Sequence, residues 1–470
     1  MTPAQALILA PVFLVYLLVF YFLGRRSGFP FLAGILLALL FHELLIRWLT
    51  NLFTAPPLLT TAASLWKDGA LAGLGLVWLQ RRRGQLRESG ALRPGGALPL
   101  WRRAAILDWL LGIVVAVGAV SALLSPNRLA GIMAFRDYYE PVLVFVLIGG
   151  FLPLRQQLGK LVKAWIVVLA FMAVLGIVQT VFWTAQDYAR WGFGSPRSEF
   201  GIPSTGGVSG LVDLRAPSTV TGPNELGMHM VLGLLLVSQL MLTAERRSQW
   251  LNFALGLLFG IALVLTFSRS DLLASLIGMA ALFLLRIRDR APVFGRWSFQ
   301  VAAILAVMFV AVLQTGLLGH VAGTAANPQA QFHVQDTSSA LDALLEDPGG
   351  VGMGLVGPRI GAFFPEQPAF HVEGSIFQIA FEMGVWGAAL WISFAVAVFI
   401  SALRGWKRAE DPLDRALVGT AVGGGLGLSF VLLFLPLMQS MTLMSWMWFL
   451  LGYAVQLGRP KVAEHASGEA

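Results

Sequence analysis

At 470 residues, with 57% hydrophobic and only 12% charged side chains, the chain carries too little charge to cover a soluble surface. Its net charge of +8 does not mark a nucleic-acid binder, because the basic residues fall in short clusters between apolar runs. Cysteine is absent, which excludes disulfides and thiolate metal sites.

Apolar runs of about 20 residues, the length that crosses a bilayer, recur from end to end. About thirteen are expected, at 6–23, 30–50, 62–80, 104–124, 138–153, 161–183, 225–243, 250–268, 270–287, 299–319, 375–403, 415–435 and 440–457. Pro, Gly, charge or a vague end weakens the second, third and twelfth. The first run has no basic segment before it and no small-residue cleavage site before Arg25 and Arg26. It is therefore expected to stay as a helix rather than to leave as a signal peptide. The fold class is all-α: a polytopic membrane protein with about 12–13 transmembrane helices and long outward loops.

The arginines orient these spans. Arg81, Arg82, Arg83, Arg87, Arg93, Arg102 and Arg103 crowd the loop after the third run, which the positive-inside rule assigns to the cytoplasm. Counting outward, Arg25/Arg26, Arg155/Lys160/Lys163, Arg246/Arg247, Arg286/Arg288/Arg290/Arg296 and Arg404/Lys407/Arg408 also fall at cytoplasmic ends, with Arg459 and Lys461 in a cytoplasmic tail. The N-terminus is then outside. The opposite face receives the two longest connections, 184–224 and 320–374. The expected organisation is an N-terminal bundle 1–183, an outer loop 184–224, helices 225–319, a long outer loop 320–374, helices 375–458 and a tail 459–470. Within the second loop, SSALDALLEDP at 338–348 has a Ser cap and the Leu/Ala spacing of a short helix. The glycine group AVGGGLG at 421–427 lies in an apolar span and reads as close helix packing rather than a phosphate loop.

Candidate chemistry gathers at the outer helix ends. Arg215 lies in LRAPSTVTGPNELG, Arg269 in LTFSRSDLLASLIG, Arg128 and Arg136 in SPNRLAGIMAFRDYYEP, and His371 in FHVEGSIFQIAFEMGVWG. An arginine near the membrane is costly, at about 2.5–3.5 kcal/mol at the bilayer centre, unless it snorkels, pairs or meets an anion. The plain reading of Arg269 is a snorkelling residue or a partner of Asp271. The sharper one is a phosphate clamp, since guanidinium grips phosphate oxygens bidentately and keeps its charge. Arg215 has the same two readings, and the turn at Gly222, Pro223 and Asn224 opens a helix whose N–H groups also favour anions. A lone histidine is more often structural than catalytic, yet imidazole suits general-base work near neutrality. No Walker loop, HExxH or carboxylate cluster with metal spacing occurs, and no metal or other cofactor is expected.

These stretches resemble the O-antigen ligase and polymerase superfamily of bacterial surface-glycan assembly. Arg215 followed by TGPNELG, then LTFSRS at 265–270, then DPGGVGMG at 347–354 with His371 and FEMGVWG at 381–387 match the family's motifs in order and placement, over about 210–390. The chain departs from the pattern at Val372 and Glu373, where members usually have Asn after the histidine. It also lacks an arginine in 334–346. The resemblance implies a GT-C-like membrane glycosyltransferase of the bacterial inner membrane, working on its outer face without metal and inverting the anomeric centre. Arg215 and Arg269, with Arg136 as a further candidate, would hold the diphosphate of an undecaprenyl diphosphate-linked glycan donor. His371 would position or deprotonate the acceptor hydroxyl. The acceptor is a growing glycan or the lipid A core; the departures lean towards polymerisation of an O-antigen or exopolysaccharide. Membrane lipids, and a chain-length regulator or other assembly proteins, are the remaining partners. The competing classes are a lipid-linked glycan flippase and a scaffold, and Glu43, Arg47, Asp108 and Glu382 within the spans show no obvious relay.

Overall fold

A computed structural model describes residues 3–52, 56–88, 106–193, 215–241, 246–288, 342, 344–346, 348–357, 372 and 374–459. The first half contains α1 (Pro3–Ser27), α2 (Phe29–Leu39), α3 (His42–Arg47, continued by a π turn Trp48–Leu52), α4 (Pro57–Ser64) and α5 (Trp66–Glu88). It goes on with α6 (Ile106–Leu124), α7 (Arg128–Gly150), α8 (Arg155–Phe182) and the short α9 (Ala185–Arg190). The second half contains α10 (Pro223–Met241), α11 (Arg246–Leu265), α12 (Arg269–Arg288), α13 (Ser375–Arg408), α14 (Pro412–Val431) and α15 (Met441–Gly458).

The chain is an all-α polytopic membrane protein. Twelve of the thirteen expected spans coincide with helices among the described residues, and the remaining one, 299–319, lies outside them. Seven described helices are long and apolar enough to cross a bilayer alone, or eight if the pair Phe29–Leu39 and His42–Asn51, bent by 54°, makes one span. The helices at 62–80, 138–153, 415–435 and 440–457 do not reach that standard. The physical reason is their position: α15 is buried along most of its length, and α7 carries charges that neighbouring helices neutralise. A helix screened from lipid by its neighbours need not be apolar throughout.

The core is built around α10, buried along nearly its whole length; α8, α11, α12 and α14 surround it. Trp165 of α8 stacks on Trp446 of α15 with ring centres 4.2 Å apart. Apolar side chains that remain exposed, such as Leu14, Val15 and Phe22 on α1 and Val167, Phe171 and Val174 on α8, form the faces expected to meet lipid. The glycine group packs as its composition suggested. A Cβ on Gly423 would stand 3.0 Å from the Gly278 carbonyl oxygen, and one on Gly427 2.7 Å from that of Ala274, so α14 lies against the backbone of α12.

The ends that the arginine pattern assigns to one side meet one another. Arg155 pairs with Asp414 at 3.0 Å, Tyr453 donates to Asp414 at 2.7 Å, and Arg459 pairs with Asp108 at 2.7 Å. At the other ends Ser125 donates to the Met353 carbonyl at 2.8 Å and Ser375 to that of Leu435 at 2.8 Å. Side-chain caps set several starts: Asn127 accepts from the Ala130 N–H at 3.1 Å, Asp411 from Leu413 at 2.7 Å and Ser440 from Leu443 at 3.2 Å.

Candidate functional site

The turn between α11 and α12 is three residues long and strained. After Leu265 the Thr266 hydroxyl donates to the Leu263 carbonyl at 2.7 Å, and Phe267 has φ of 53°, a left-handed conformation unusual for an aromatic residue. Ser268 then opens α12 by accepting the Leu272 N–H at 3.1 Å through its carbonyl. This sequence of events leaves Arg269 as the first residue of α12, half-buried at the helix mouth.

Arg215 reaches this turn from 51 residues away in the chain. Its Nε donates to the Thr266 carbonyl at 2.7 Å, and its Nη2 donates to Asn224 Oδ1 at 2.5 Å, on the first turn of α10. Asp271 and Arg269 are its charged neighbours. The buried Asp271 carboxylate lies over Gly227 of α10, where a Cβ would stand 2.1 Å from Oδ2. Burial, set against the Asp271 charge that raises it and the Arg269 charge that lowers it, pushes the Arg215 guanidinium down to about 10. It therefore keeps its charge through the neutral range.

The loop carrying Arg215 is held by residues of α9, α8, α3 and α10. Tyr188 of α9 donates to the Arg215 carbonyl at 3.2 Å. The Gln179 amide of α8 accepts the Ser218 N–H at 2.7 Å, and the Ser218 hydroxyl donates to the Met172 carbonyl at 2.8 Å. Arg47, buried on α3 with its guanidinium 4.1 Å over the Phe193 ring, donates to the Val220 carbonyl. Glu225 accepts the Thr221 N–H at 3.1 Å on one oxygen and the Ser440 hydroxyl at 2.6 Å on the other.

A second structure sits where α13 is broken. Gly384 has φ of 74°, and the Gly-rich stretch 348–357 lies against the break: Val351 N–H donates to Phe381 O at 2.7 Å and Val385 N–H to Pro348 O at 3.0 Å. Gly350, Gly352, Gly354 and Gly357 all have positive φ. The buried Glu382 carboxylate accepts the Gly354 N–H at 3.1 Å and faces the Tyr138 hydroxyl. Of the in-span charges, Glu382 thus sits in a local hydrogen-bond cluster, whereas Arg47 serves the Arg215 loop and Asp108 pairs with Arg459 at the far end.

The expected site residues separate into three groups. Arg215 and Arg269 are brought together at one helix mouth. Arg136 is placed differently, and this corrects the expectation that it lies in a connection. It is inside α7, with Asp68 Oδ1 at 2.7 Å, Asp137 at 3.8 Å and Glu140 at 3.5 Å, while Lys67 also reaches Glu140 at 3.5 Å. A guanidinium ringed by carboxylates is already neutralised, so its position argues for a structural ion network over a phosphate contact. His371 lies outside the described residues. Of the expected short helix in 338–348, residues 342, 344–346 and 348 are described; the first four are helical and Pro348 lies in a turn.

The two histidines among the described residues have polar neighbours within the bundle. His229 Nδ1 lies 2.9 Å from the Glu225 carbonyl inside α10, and His42 accepts from Trp66 at 3.1 Å. No cluster of three or more metal-ligating side chains occurs among the described residues. The residues missed from sequence were Thr266, Tyr188, Gln179 and Glu225, while Asn224 was read only as part of the turn that opens α10. Of those missed, only Thr266, by its motif position just before Arg269, left any hint.

Residues 253–392 match the family model described as O-antigen ligase. No curated protein matches the chain. The matched stretch contains the Arg269 turn, the Gly-rich segment and the Glu382 helix, while Arg215 lies before it and is tied to it through Thr266.

Proposed function

We propose, from the match of residues 253–392 to the O-antigen ligase family model, that this membrane protein moves glycan from an undecaprenyl diphosphate-linked donor to a sugar hydroxyl on the outer face of the inner membrane. The single observation that carries the proposal is the pairing of Arg215 with the Arg269 turn at the mouths of α10 and α12. Two of the five N–H groups of Arg215 are committed to Thr266 and Asn224, which fixes the plane of the fork and leaves its other donors for an anionic ligand.

The chemistry follows from where charge develops. Breaking the anomeric C–O bond leaves a lipid diphosphate, and negative charge grows on its oxygens in the transition state. Guanidinium groups already fixed in place stabilise that charge with no reorganisation at the moment of reaction. The acceptor hydroxyl attacks the anomeric carbon from the face opposite the diphosphate, inverting that centre, while His371 takes its proton. Polymerisation, with a lipid-linked repeat unit as acceptor, is the preferred reading; transfer to the lipid A core is the alternative.

The purified chain, reconstituted with an undecaprenyl diphosphate-linked repeat unit, should yield ladders of lengthening glycan that EDTA does not diminish. Arg269→Ala and His371→Ala should each abolish or strongly depress them. Product formed only when lipid A core is added would make the chain a ligase. Donor movement between leaflets with no glycosyl transfer would overturn the enzyme reading in favour of a flippase. Donor affinity should be level between pH 6 and 9 and fall as pH rises through about 10, the value to which burial brings Arg215; the sign follows because deprotonation removes the charge that binds the diphosphate. A loss of affinity centred near pH 7 would show that another group governs donor binding.

A further inference from the structure

Helices α1 and α5 run side by side with their backbones in close approach. A Cβ on Gly73 of α5 would stand 2.8 Å from the Tyr21 nitrogen of α1, and one on Gly69 would stand 2.6 Å from the Tyr16 Cβ. Near the end of the pair the Tyr21 hydroxyl donates to Gln80 Oε1 at 2.8 Å. Small residues at such a contact hold two membrane helices in register, so the arginines that follow arrive together. They are Arg25 and Arg26 in the last turn of α1 and Arg81, Arg82 and Arg83 in α5, all exposed. The Arg81 guanidinium lies over the Phe151 ring, 4.7 Å from its centre, and 3.6 Å from where Gly28 would carry a Cβ. Gly28, with φ of 54°, is the turn that leaves α1, so Arg81 stands beside the end of that helix.

Other arginines at this end of the bundle are answered within the protein. Arg155 pairs with Asp411 and Asp414, Arg459 pairs with Asp108, and Arg415 donates to the Ala409 carbonyl at 2.7 Å. Among the described residues, none of the five arginines at the α1–α5 end is paired with a carboxylate. Like charges gathered this closely repel one another until an anion sits among them. Their surroundings are apolar: Phe22 and Leu23 on α1, and Leu152 and Leu154 just after the Phe151 ring, are all exposed. Tyr21, Trp78 (packed against Gly150) and Phe151 gather at the same level, and such aromatic side chains mark the headgroup depth of a bilayer. An occupant therefore has to bring negative charge to the arginines and hydrocarbon to the leucines at once. A free phosphate, a nucleotide or an acidic protein segment supplies only the first.

We propose that the junction of the α1 and α5 ends binds the headgroup of an anionic phospholipid, whose acyl chains lie along the exposed apolar side chains beside it. Guanidinium matches phosphate oxygens in geometry as well as in charge. Because α1 packs chiefly on α5, a lipid phosphate bridging the two ends also secures α1 to the bundle. The site is separate from Arg215 and Arg269 and does not depend on the transferase reading.

The full chain in neutral detergent is titrated with dioleoyl phosphatidylglycerol or dioleoyl phosphatidylcholine. Bound lipid is counted by native mass spectrometry, with melting followed in parallel. Phosphatidylglycerol should bind about 100-fold more tightly, raise the melting temperature, and lose its advantage at high salt, since the arginines are exposed. Arg25→Gln with Arg26→Gln, and Arg82→Gln with Arg83→Gln, should each weaken phosphatidylglycerol binding by about 25-fold, at about fivefold per arginine near an anionic lipid surface. Arg81 is left in place because it also packs on Phe151. Arg404→Gln with Lys407→Gln, which removes as much charge from another exposed helix end, should bind as the wild type. On the wild type itself, phosphatidylglycerol should slow hydrogen exchange in peptides covering 22–28 and 78–84. Equal affinity for the two lipids would overturn the proposal, as would exchange protection confined to other helices. An equal loss in the Arg404 and Lys407 variant would assign the effect to net charge, and inorganic phosphate alone reproducing the rise in melting temperature would assign it to a free anion; either overturns the lipid site.

Discussion

Arg215→Lys should lose about 10²- to 10³-fold in kcat, the range seen when one fixed donor to a developing oxyanion is removed, while the protein folds and melts as before. Lysine retains the charge at neutral pH, so charge alone would predict a mild effect. The structure says otherwise. Arg215 uses Nε on Thr266 and Nη2 on Asn224 at the same time, and this double anchorage sets the plane in which its remaining N–H groups point. A single ammonium cannot bridge both acceptors and still face a ligand, and burial lowers the pKa of a lysine more readily than that of an arginine. Turnover is measured on the reconstituted protein with defined donor, beside a thermal melt. Near-wild-type turnover in the lysine variant would remove Arg215 from the donor site, since a mere point charge would then suffice.

Gly354→Ala should destabilise the protein by more than about 3 kcal/mol, combining strain at a left-handed position with overpacking. Gly354 has φ of 80°, and a Cβ there would stand 2.2 Å from the carbonyl oxygen of Ala130 and 2.9 Å from the Gly131 nitrogen. Those atoms belong to the first turn of α7, which Asn127 caps, so the obstacle is backbone and cannot rotate away. Relief requires moving the Gly-rich stretch off α7, which also breaks the Gly354 bond to Glu382. The control is Gly75→Ala on α5, where nothing lies within 4 Å of the new methyl. It should hold or gain up to about 1 kcal/mol, the helix propensity difference. Melting of both variants in detergent decides the matter; equal stability would mean that the stretch does not pack on α7.

The two expectations differ in how far the sequence supports them. Arg215 and Arg269 stand in motif-like stretches at the ends of apolar runs, so their candidacy was legible before any fold was known. Arg136 had the same local signature and a different fate, because whether a guanidinium is free depends on Asp68 and Glu140, which reach it through the packing of α5 against α7. Glu382 was read as part of the FEMGVWG stretch and as an in-span charge in no obvious relay. Its role emerged only when the break at Gly384 brought the Gly-rich stretch, Tyr138 and the Gln439 turn around it.

By itself, the sequence determined the membrane class and the order of the spans, and it set the expectation for the side on which each group of arginines falls. These are sums of local transfer free energies and loop charges, so they add along the chain and need no knowledge of neighbours. It also placed the close packing of the 421–427 glycines, because a missing side chain in an apolar helix has few other uses. Only the tertiary structure decided which buried polar groups pair: Arg215 with Thr266, Ser440 with Glu225, Gln378 with Val372 and Gln439 with Tyr138. The spans from Gln439 to Tyr138 and from Ser440 to Glu225 run across 301 and 215 residues of chain, respectively. A buried amide or hydroxyl requires some partner, but its own residue type does not say which, and that choice is made by the angles at which the helices pack.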